Sequence, residues 1–259
     1  NILLMTFFRE FDNEDTFNYY IQLGFLSSDI FIFITLFFID AYYGRFFNSF
    51  SLLPSIPCHL SWIIQECPCV FISLFFILTK LHSISLMNVL VLLPFLLHYI
   101  HRSFVFPFKL KTTKKTPLEL TFLAFIFCSF NATMINRSIL LYSQYEEISL
   151  QMIVGISIMM IGALINIFHD YYVIGLRKQT TAYILPKGYL YEYISCPNYF
   201  GEMVEWFGFW VLSGTFSAFV FAVSTVANLF PRAIKTHQWY HKKFNEYPKQ
   251  RKAVIPFII

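Results

Sequence analysis

An amide, a carboxylate and a guanidinium recur at helical spacing inside one long apolar run. They are Asn166, Asp170 and Arg177, and a 3.6-residue repeat brings all three to one face of a helix. Arginine grips phosphate through two donors, and the acid and the amide can bind sugar hydroxyls. This face therefore fits a pocket for a ligand that carries phosphate and ribose. An ion pair between Asp170 and Arg177 that anchors the helix end is the structural alternative.

A second polar face follows in the next apolar run, where Asn198, Glu202 and Glu205 share one side of a helix. Two carboxylates on one face repel each other and lose hydration in an apolar setting unless positive groups compensate them. The nearest candidates along the sequence are Arg232, Lys235, His237 and Tyr240. The functional interpretation is the same ligand pocket, and a purely structural polar network is the alternative.

A lone carboxylate, Glu66, lies deep in an earlier apolar run, where it is costly without a partner. Pro68 follows it and cannot donate a backbone hydrogen bond, so it favours a bend with room beside the acid. Tyr99 lies in another apolar run, among polar neighbours. If the two meet, the tyrosine can donate to a ligand carbonyl while the glutamate orients it. A structural bond for Glu66 and a membrane-interface position for Tyr99 are the alternatives.

The composition requires a membrane around these residues. Of the 259 residues, 57% are hydrophobic, 20% are aromatic and only 13% are charged, and the mean hydropathy is +0.57. Soluble domains carry roughly 25% charged residues, so this chain has too few to cover its surface. We therefore predict an all-α, polytopic membrane protein in contact with the lipid bilayer.

The apolar runs predict a bundle of seven transmembrane helices in one domain that spans residues 1–259. We place the helices near residues 20–42, 58–80, 84–106, 118–136, 148–175, 199–213 and 216–245. Lysine and arginine collect in the loops on one side, which predicts a lumenal amino terminus and a cytosolic carboxyl terminus. The net charge of +4 reflects this asymmetry, so no nucleic-acid partner is predicted.

The sequence lacks the motifs of several other classes of protein. No GxGxxG, Walker, HExxH or GxSxG motif occurs, which argues against a soluble nucleotide-binding fold and against a metal site. The cysteines have no CxxC spacing, and we read all five as reduced packing residues. They are Cys58, Cys67, Cys69, Cys128 and Cys196.

The carboxyl-terminal half carries a set of motifs that resembles one known family. The motifs are Asn166 with Asp170, residues 176–178, Tyr183 before Pro186 and Gly188, residues 196–202 with Glu205-Trp206, Arg232-Ala233, His237, Trp239-Tyr240, residues 247–249, and Arg251-Lys252 to Phe257. Residues 62–66 and the row from His98 to Arg102 extend the likeness more thinly, and residues 1–55 show no usable match. The chain is similar to the steroid 5-alpha-reductase family, and residues 148–259 match best. Its motifs look closer to the plant branch than to the animal enzymes.

The resemblance implies a seven-helix enzyme of the endoplasmic-reticulum membrane that transfers a hydride from NADPH to carbon 5 of a 3-keto-4-ene steroid. Glu66 and Tyr99 match the pair that polarises the 3-keto oxygen, and Trp62 joins them in the substrate site. The residues that match the cofactor site are Asn166, Asp170, Arg177, Tyr183, Asn198, Glu202, Arg232 and Tyr240.

The chain departs from the animal pattern at four positions. Ile174 and Ile184 stand where animal members carry arginine, Tyr189 replaces a glycine and Thr236 replaces a histidine. Lysines such as Lys111 or Lys115 are candidates to replace the missing cations.

Two other activities stay open at this point. One is reduction of a different lipid double bond, in an enoyl-CoA or a polyprenoid; Glu66 favours a steroid because a keto group needs polarisation at that depth. The other is a membrane lipid methyltransferase that uses S-adenosylmethionine, which would share the multi-helix layout and a basic carboxyl-terminal end.

Overall fold

Seven long α-helices dominate the described part of the chain. The computed structural model describes residues 16–38, 53–110, 114–177 and 184–259. The helices are α1 Thr16–Phe38, α2 Cys58–Thr79, α3 Leu86–Phe104, α4 Leu118–Asn136, α5 Leu150–Arg177, α6 Pro197–Ser213 and α7 Phe216–Lys243. The first begins four residues before its predicted start at residue 20, and the predicted residues 39–42 lie outside the described residues. Shorter pieces are a helical turn at Phe106–Lys109, a π-helical extension of α4 at Arg137–Tyr142 and a 3-10 turn at Tyr189–Glu192.

Six helical segments within the described residues are long and apolar enough to cross a membrane. They are Thr16–Phe38, Cys58–Thr79, Leu86–Lys109, Leu118–Tyr142, Leu150–Arg177 and Phe216–Lys243. Helix α6 has only 17 residues, and a span needs about 20. The structure thus confirms an all-α polytopic membrane protein, with six rather than seven helices that meet the criteria for a span.

Two local signals divide the last apolar run into α6 and α7, as the sequence predicts. Gly214 ends α6 with φ 65°, a left-handed conformation that suits glycine. Thr215 then caps α7, because its side chain accepts a hydrogen bond from the Ala218 backbone nitrogen at 3.2 Å. The two helices therefore meet at a two-residue corner.

A short antiparallel strand pair joins the starts of α2 and α4. Strand β1 Ser55–Pro57 pairs with strand β2 Lys115–Pro117, with Ser55 opposite Pro117. One turn further on, the hydroxyl groups of Ser61 and Thr121 lie 2.7 Å apart. These contacts fix α2 and α4 side by side at the end where both begin.

Glycine allows α5 and α6 to pack at backbone distance. A Cβ atom on Gly162 would lie 2.2 Å from the Glu205 backbone nitrogen, and one on Gly201 would lie 2.5 Å from the Asn166 backbone nitrogen. Any larger side chain at either position would push the two helices apart. The two predicted polar faces are thus held against each other at backbone distance.

The core is aromatic around Trp206, which is almost fully buried. Its ring packs on Phe221 of α7 at 4.5 Å between centroids, on His98 of α3 at 4.6 Å and on Tyr99 at 5.9 Å. The carboxyl-terminal segment folds back onto the protein, where Lys252 pairs with Ile194 and the Ser195 backbone nitrogen donates to the Lys252 carbonyl at 2.8 Å. The tail is therefore part of the folded structure.

Candidate active site

A buried guanidinium on α3 joins the two predicted polar faces. Nη1 of Arg102 donates to Oδ2 of Asp170 on α5 at 2.8 Å, and Nη2 donates to Oε2 of Glu202 on α6 at 3.0 Å. The same guanidinium lies 4.9 Å from the centroid of the Trp62 ring and 4.7 Å from that of Phe106. Two aromatic rings thus cover a cation that compensates both carboxylates.

Two amides complete this network. Asn166 donates through Nδ2 to the Asn198 carbonyl at 2.9 Å and to Oε2 of Glu202 at 3.1 Å. Asn198 donates through Nδ2 to Oδ1 of Asp170 at 2.9 Å. The structure therefore brings together four of the predicted cofactor residues, and each carboxylate accepts from both an arginine and an amide.

The second carboxylate of α6 also has its partner on α3. Nδ1 of His98 lies 2.6 Å from Oε1 of Glu205; Glu205 is buried and the His98 side chain is about nine-tenths buried. The prediction that residues of α7 compensate Glu202 and Glu205 is therefore wrong. The reason is that α3 packs beside α5 and α6 at this level, although it is far from them in sequence. Arg232 instead donates to Tyr199 Oη and Asn228 Oδ1, both at 3.2 Å.

The alternative ion pair between Asp170 and Arg177 is not formed. Asp170 bonds to Arg102 and Asn198, whereas Arg177 is exposed at the end of α5. Arg177 interacts electrostatically with Tyr191 instead. The Arg177 guanidinium is therefore exposed to solvent at the end of α5.

Two buried thiols connect Glu66 to the core cluster that contains Tyr99. Cys128 Sγ on α4 donates to Oε2 of Glu66 at 3.8 Å, and Cys69 Sγ donates to the Cys128 carbonyl at 3.5 Å. Tyr99 is buried and interacts electrostatically with both cysteines and with Glu66. Glu66 also interacts electrostatically with Arg102. Glu66 and Tyr99 therefore lie beside the ionic network that joins α3, α5 and α6.

Of the remaining predicted cofactor residues, Tyr240 lies in the carboxyl-terminal half of α7. Tyr240 is buried and its ring stacks on Tyr247 of the tail at 5.8 Å. Tyr191 interacts electrostatically with both Tyr240 and Asp170. Tyr183 lies outside the described residues.

Buried polar atoms without a hydrogen-bond partner among the described residues show that this region fits an extended polar cofactor. They are Oε2 of Glu205, Nε2 of His169, and Nε and Nη2 of Arg251. The acceptor on Glu205 suits a ligand hydroxyl or amide, and the guanidinium donors of Arg251 suit a phosphate. A dinucleotide offers all of these groups.

Burial sets the acid–base behaviour of two tyrosines outside the helices. Burial raises the pKa of Tyr191 well above its usual range. Burial also raises the pKa of Tyr247, although a hydrogen bond with Ser195 opposes the shift. Both phenols therefore remain neutral hydrogen-bonding groups at physiological pH.

The sequence interpretation missed Arg102 and His98 as the partners of the carboxylates. The signal was visible in the polar row from His98 to Arg102, which is just over one helical turn near the end of an apolar run. Among the positions that depart from the animal pattern, Ile174 is buried, and Tyr189 adopts φ 53° where glycine would be unstrained. Lys115 lies exposed in β2, and Lys111 lies outside the described residues.

The helical bundle and its buried ionic network are typical of a membrane enzyme with a polar site inside the bundle. Residues 114–259 match the family model described as 3-oxo-5-alpha-steroid 4-dehydrogenase. The chain is 40% identical to 3-oxo-5-alpha-steroid 4-dehydrogenase 1 of Bos taurus, over 84% of this chain and 87% of that protein. It is 38% identical to steroid 5-alpha-reductase DET2 of Gossypium hirsutum, over 87% and 91% of the two chains.

This chain therefore belongs to the 3-oxo-5-alpha-steroid 4-dehydrogenase family, a family of oxidoreductases that act on CH–CH groups. A human relative, 3-oxo-5-alpha-steroid 4-dehydrogenase 1, is 34% identical over 85% of this chain. Animal and plant relatives match at similar identity, so these values do not separate the two branches. Membership in an oxidoreductase family removes the methyltransferase alternative.

Proposed function

We propose that this chain reduces the 4,5 double bond of 3-keto-4-ene steroids with NADPH and releases 5-alpha-steroids. The names of the relatives support the reaction, because they describe 3-oxo-5-alpha-steroid 4-dehydrogenases and steroid 5-alpha-reductases. The observation that carries the proposal for this chain is a set of buried contacts: the Cys128 thiol donates to Glu66, and Cys128 lies in the same buried core cluster as Cys69 and Tyr99.

Tyr99 and Glu66 are proposed to act on the 3-keto oxygen. Negative charge develops on that oxygen as the 4,5 double bond is reduced, and a positioned donor in a dry site stabilises it. Tyr99 is buried against Trp206, which excludes water and fixes the phenol ring. Tyr99 donates its proton to the oxygen in a hydrogen bond, and Glu66 orients that bond. Trp62, whose ring borders Arg102, forms a wall of the same site.

The cofactor is proposed to lie along the polar faces of α5 and α6 and the end of α7. When bound, NADPH supplies the hydride that reaches carbon 5, and a proton then adds at carbon 4. Asn166, Asp170, Asn198 and Glu202 are proposed to bind its polar groups; the hydrogen bonds among them hold their side chains in fixed positions. Arg177, Tyr183, Arg232 and Tyr240 complete the proposed cofactor site.

We also propose the membrane arrangement that the basic loops predict. Helix α6 packs against α5 along its length through glycine contacts, which favours a seventh span despite its 17 residues. The amino terminus is then lumenal and the carboxyl terminus cytosolic in the endoplasmic-reticulum membrane. The whole chain forms one catalytic domain.

The test is a microsomal assay with NADPH and progesterone, in which mass spectrometry scores the 5-alpha-reduced product. Glu66→Gln and Tyr99→Phe are each expected to lower kcat at least tenfold, the usual scale for a lost transition-state donor, while NADPH binding persists. Matched controls are Glu147→Gln and Tyr20→Phe, which change exposed side chains far from the site.

Two outcomes would count against parts of the proposal. Near-normal turnover in both site variants would remove their assigned roles. NADPH binding without product from any 3-keto-4-ene steroid would keep a reductase but move its substrate to another unsaturated lipid, such as an enoyl-CoA or a polyprenoid.

A further inference from the structure

A cleft of about 470 Å³ lies between the loop before the 3-10 turn and the end of α7. Residues 184, 185 and 187 line one side, and residues 243–246 line the other. The lining includes two exposed lysines, Lys187 and Lys243, and neither ammonium group forms an ion pair with a described residue. Glu246 is the one carboxylate of the lining. The cleft therefore carries a net positive charge and offers two cations to a ligand.

The length of α7 places this cleft beyond the hydrocarbon layer of the membrane. The helix has 28 residues, or roughly 42 Å, whereas the hydrocarbon core of a bilayer is about 30 Å thick. All basic residues of α7 lie in its carboxyl-terminal half, from Arg232 to Lys243, so this is the end that extends into water. The cations of the cleft can therefore meet a soluble anion.

Contacts join the cleft to the proposed cofactor site. The ring of Phe244, which lines the cleft, lies 5.9 Å from the ring of Tyr240. Leu185 on the opposite wall belongs to the same buried cluster as Tyr240. Tyr240 in turn interacts electrostatically with Tyr191, which also interacts with Asp170 of the polar network. Adjoining side chains thus connect the network to the cleft.

The loop that carries Lys187 is held from two sides. Tyr172 Oη of α5 donates to the Lys187 carbonyl at 2.6 Å, and Nη1 of Arg251 donates to the Pro186 carbonyl at 3.2 Å. Arg251 is almost fully buried. The loop backbone is therefore in position before a ligand arrives, which lowers the entropic cost of binding.

The lining matches a phosphorylated ribose that is joined to a base. Two ammonium groups suit a phosphate, whereas the Glu246 carboxylate and the Asn245 amide suit the hydroxyl groups of a sugar. The side chains of Ile184 and Phe244 add apolar surface for a flat base. A phospholipid fits less well, because its acyl chains need hydrocarbon beside the headgroup.

We propose that Lys187 and Lys243 bind the 2′-phosphate of NADPH, the group that NADH lacks, and thereby select between the two cofactors; this deepens the proposed function and rests on it. Ile184 lines the same cleft and stands where animal members carry arginine. The two lysines supply the positive charge that this position does not carry. Lys115, a candidate from the sequence, does not line the cleft.

The test measures the binding of two nucleotide fragments that contain no nicotinamide. Adenosine 2′,5′-bisphosphate carries the 2′-phosphate, and adenosine 5′-monophosphate does not. Isothermal titration calorimetry of the purified protein in detergent gives their Kd values, at one low ionic strength because salt screens exposed charges. The unmodified protein should bind the bisphosphate roughly tenfold or more tightly than the monophosphate. In the double variant Lys187→Gln with Lys243→Gln this preference should fall to about twofold or less, with the Kd of the monophosphate unchanged.

Cofactor kinetics give a second readout. In the double variant, KM for NADPH should rise roughly tenfold or more, whereas kcat and the KM for NADH should stay the same. The reason is that the 2′-phosphate is remote from the transferred hydride, so its contacts act equally on the ground state and the transition state.

Two controls separate recognition from general charge and from folding. Lys242→Gln removes an exposed cation beside Lys243 that does not line the cleft, and it should keep the preference for the bisphosphate. Lys187→Arg with Lys243→Arg keeps both charges and should keep it as well. Thermal unfolding of each variant checks that the fold is intact.

Several outcomes would overturn the inference. One is an unchanged preference for the bisphosphate in the double variant. Another is a double variant that keeps this preference but loses a dependence of turnover on phosphatidylserine over phosphatidylcholine vesicles, which would assign the cleft to a lipid headgroup.

The inference and the proposed function fail differently. A preference for the bisphosphate that the double variant loses supports the inference even where no 3-keto-4-ene steroid is reduced. Equal binding of the two fragments by the unmodified protein overturns the inference, while formation of a 5-alpha-reduced product would still support the proposed reaction.

Discussion

Arg102 on α3 donates to Asp170 on α5 at 2.8 Å, although the two residues are distant in sequence. The same guanidinium donates to Glu202 on α6 at 3.0 Å. Three helices thus meet at one cation, which is about nine-tenths buried. A planar fork can serve two carboxylates at once, so arginine is suited to this position.

Removal of this cation should destabilise the bundle. Arg102→Met leaves Asp170 and Glu202 buried without a positive partner, and the loss of one member of a buried ionic network costs about 3 to 5 kcal/mol. Arg102→Lys should recover only part of the loss, because one ammonium cannot reproduce both bonds. Thermal unfolding in detergent measures the effect.

The matched control is Lys80→Met, which removes an exposed cation that follows α2. Its effect should stay within about 0.5 kcal/mol, as for most surface changes. Equal stability of Arg102→Met and Lys80→Met would show that the network is not needed for folding.

The close contact of α5 and α6 makes a second prediction. Gly201→Ala places a Cβ atom 2.5 Å from the Asn166 backbone nitrogen, and backbone cannot move aside as a flexible side chain can. We expect a loss of about 1 to 3 kcal/mol from overpacking, together with weaker NADPH binding, because Asn166 and Asn198 move apart. Unfolding curves and NADPH titration of the purified protein measure both effects.

Gly175→Ala is the control, because a Cβ atom there meets nothing within 4 Å. Alanine is the better helix former by about 1 kcal/mol, so this variant should be neutral or more stable. If the two alanine variants behave alike, the contact of α5 with α6 is looser than the structure has it.

The sequence predicted each polar face of the site but not the partner of that face. Asn166 and Asp170 share a face, as do Asn198 and Glu202, because helical periodicity is local. The cation that joins the faces comes from a helix distant in sequence, and its position depends on how whole helices pack. Nearness along the chain pointed to Arg232, whereas packing selects Arg102.

The thiol beside the proposed catalytic carboxylate gives a third prediction. Cys128 Sγ donates to Glu66 Oε2 at 3.8 Å, so Cys128 is a positioning residue for Glu66. Cys128→Val removes the donor at similar volume and should lower kcat by up to roughly tenfold, the upper end of what one hydrogen bond contributes. Cys128→Ser keeps a hydroxyl donor and should stay within a few-fold of the original kcat.

Steady-state kinetics with the steroid varied at saturating NADPH measure this effect. Cys67→Ser is the control, because that thiol bonds to a backbone carbonyl of its own helix. Similar losses in Cys128→Val and Cys128→Ser would point to packing rather than to the hydrogen bond.

Alkaline pH should weaken the fold through Tyr191. Burial raises the pKa of this phenol well above its ordinary value, which is about 10 in unfolded chains. The folded state therefore holds the proton more tightly than the unfolded state does. The resulting stability is complete below about pH 10 and is lost as the pH rises from there toward the folded-state pKa.

Tm should accordingly fall above pH 10, and it should fall less steeply in Tyr191→Phe, which has no proton to lose. Tyr193→Phe, at an exposed position two residues away, should follow the unmodified protein. Parallel curves for Tyr191→Phe and the unmodified protein would mean that other groups govern alkaline unfolding.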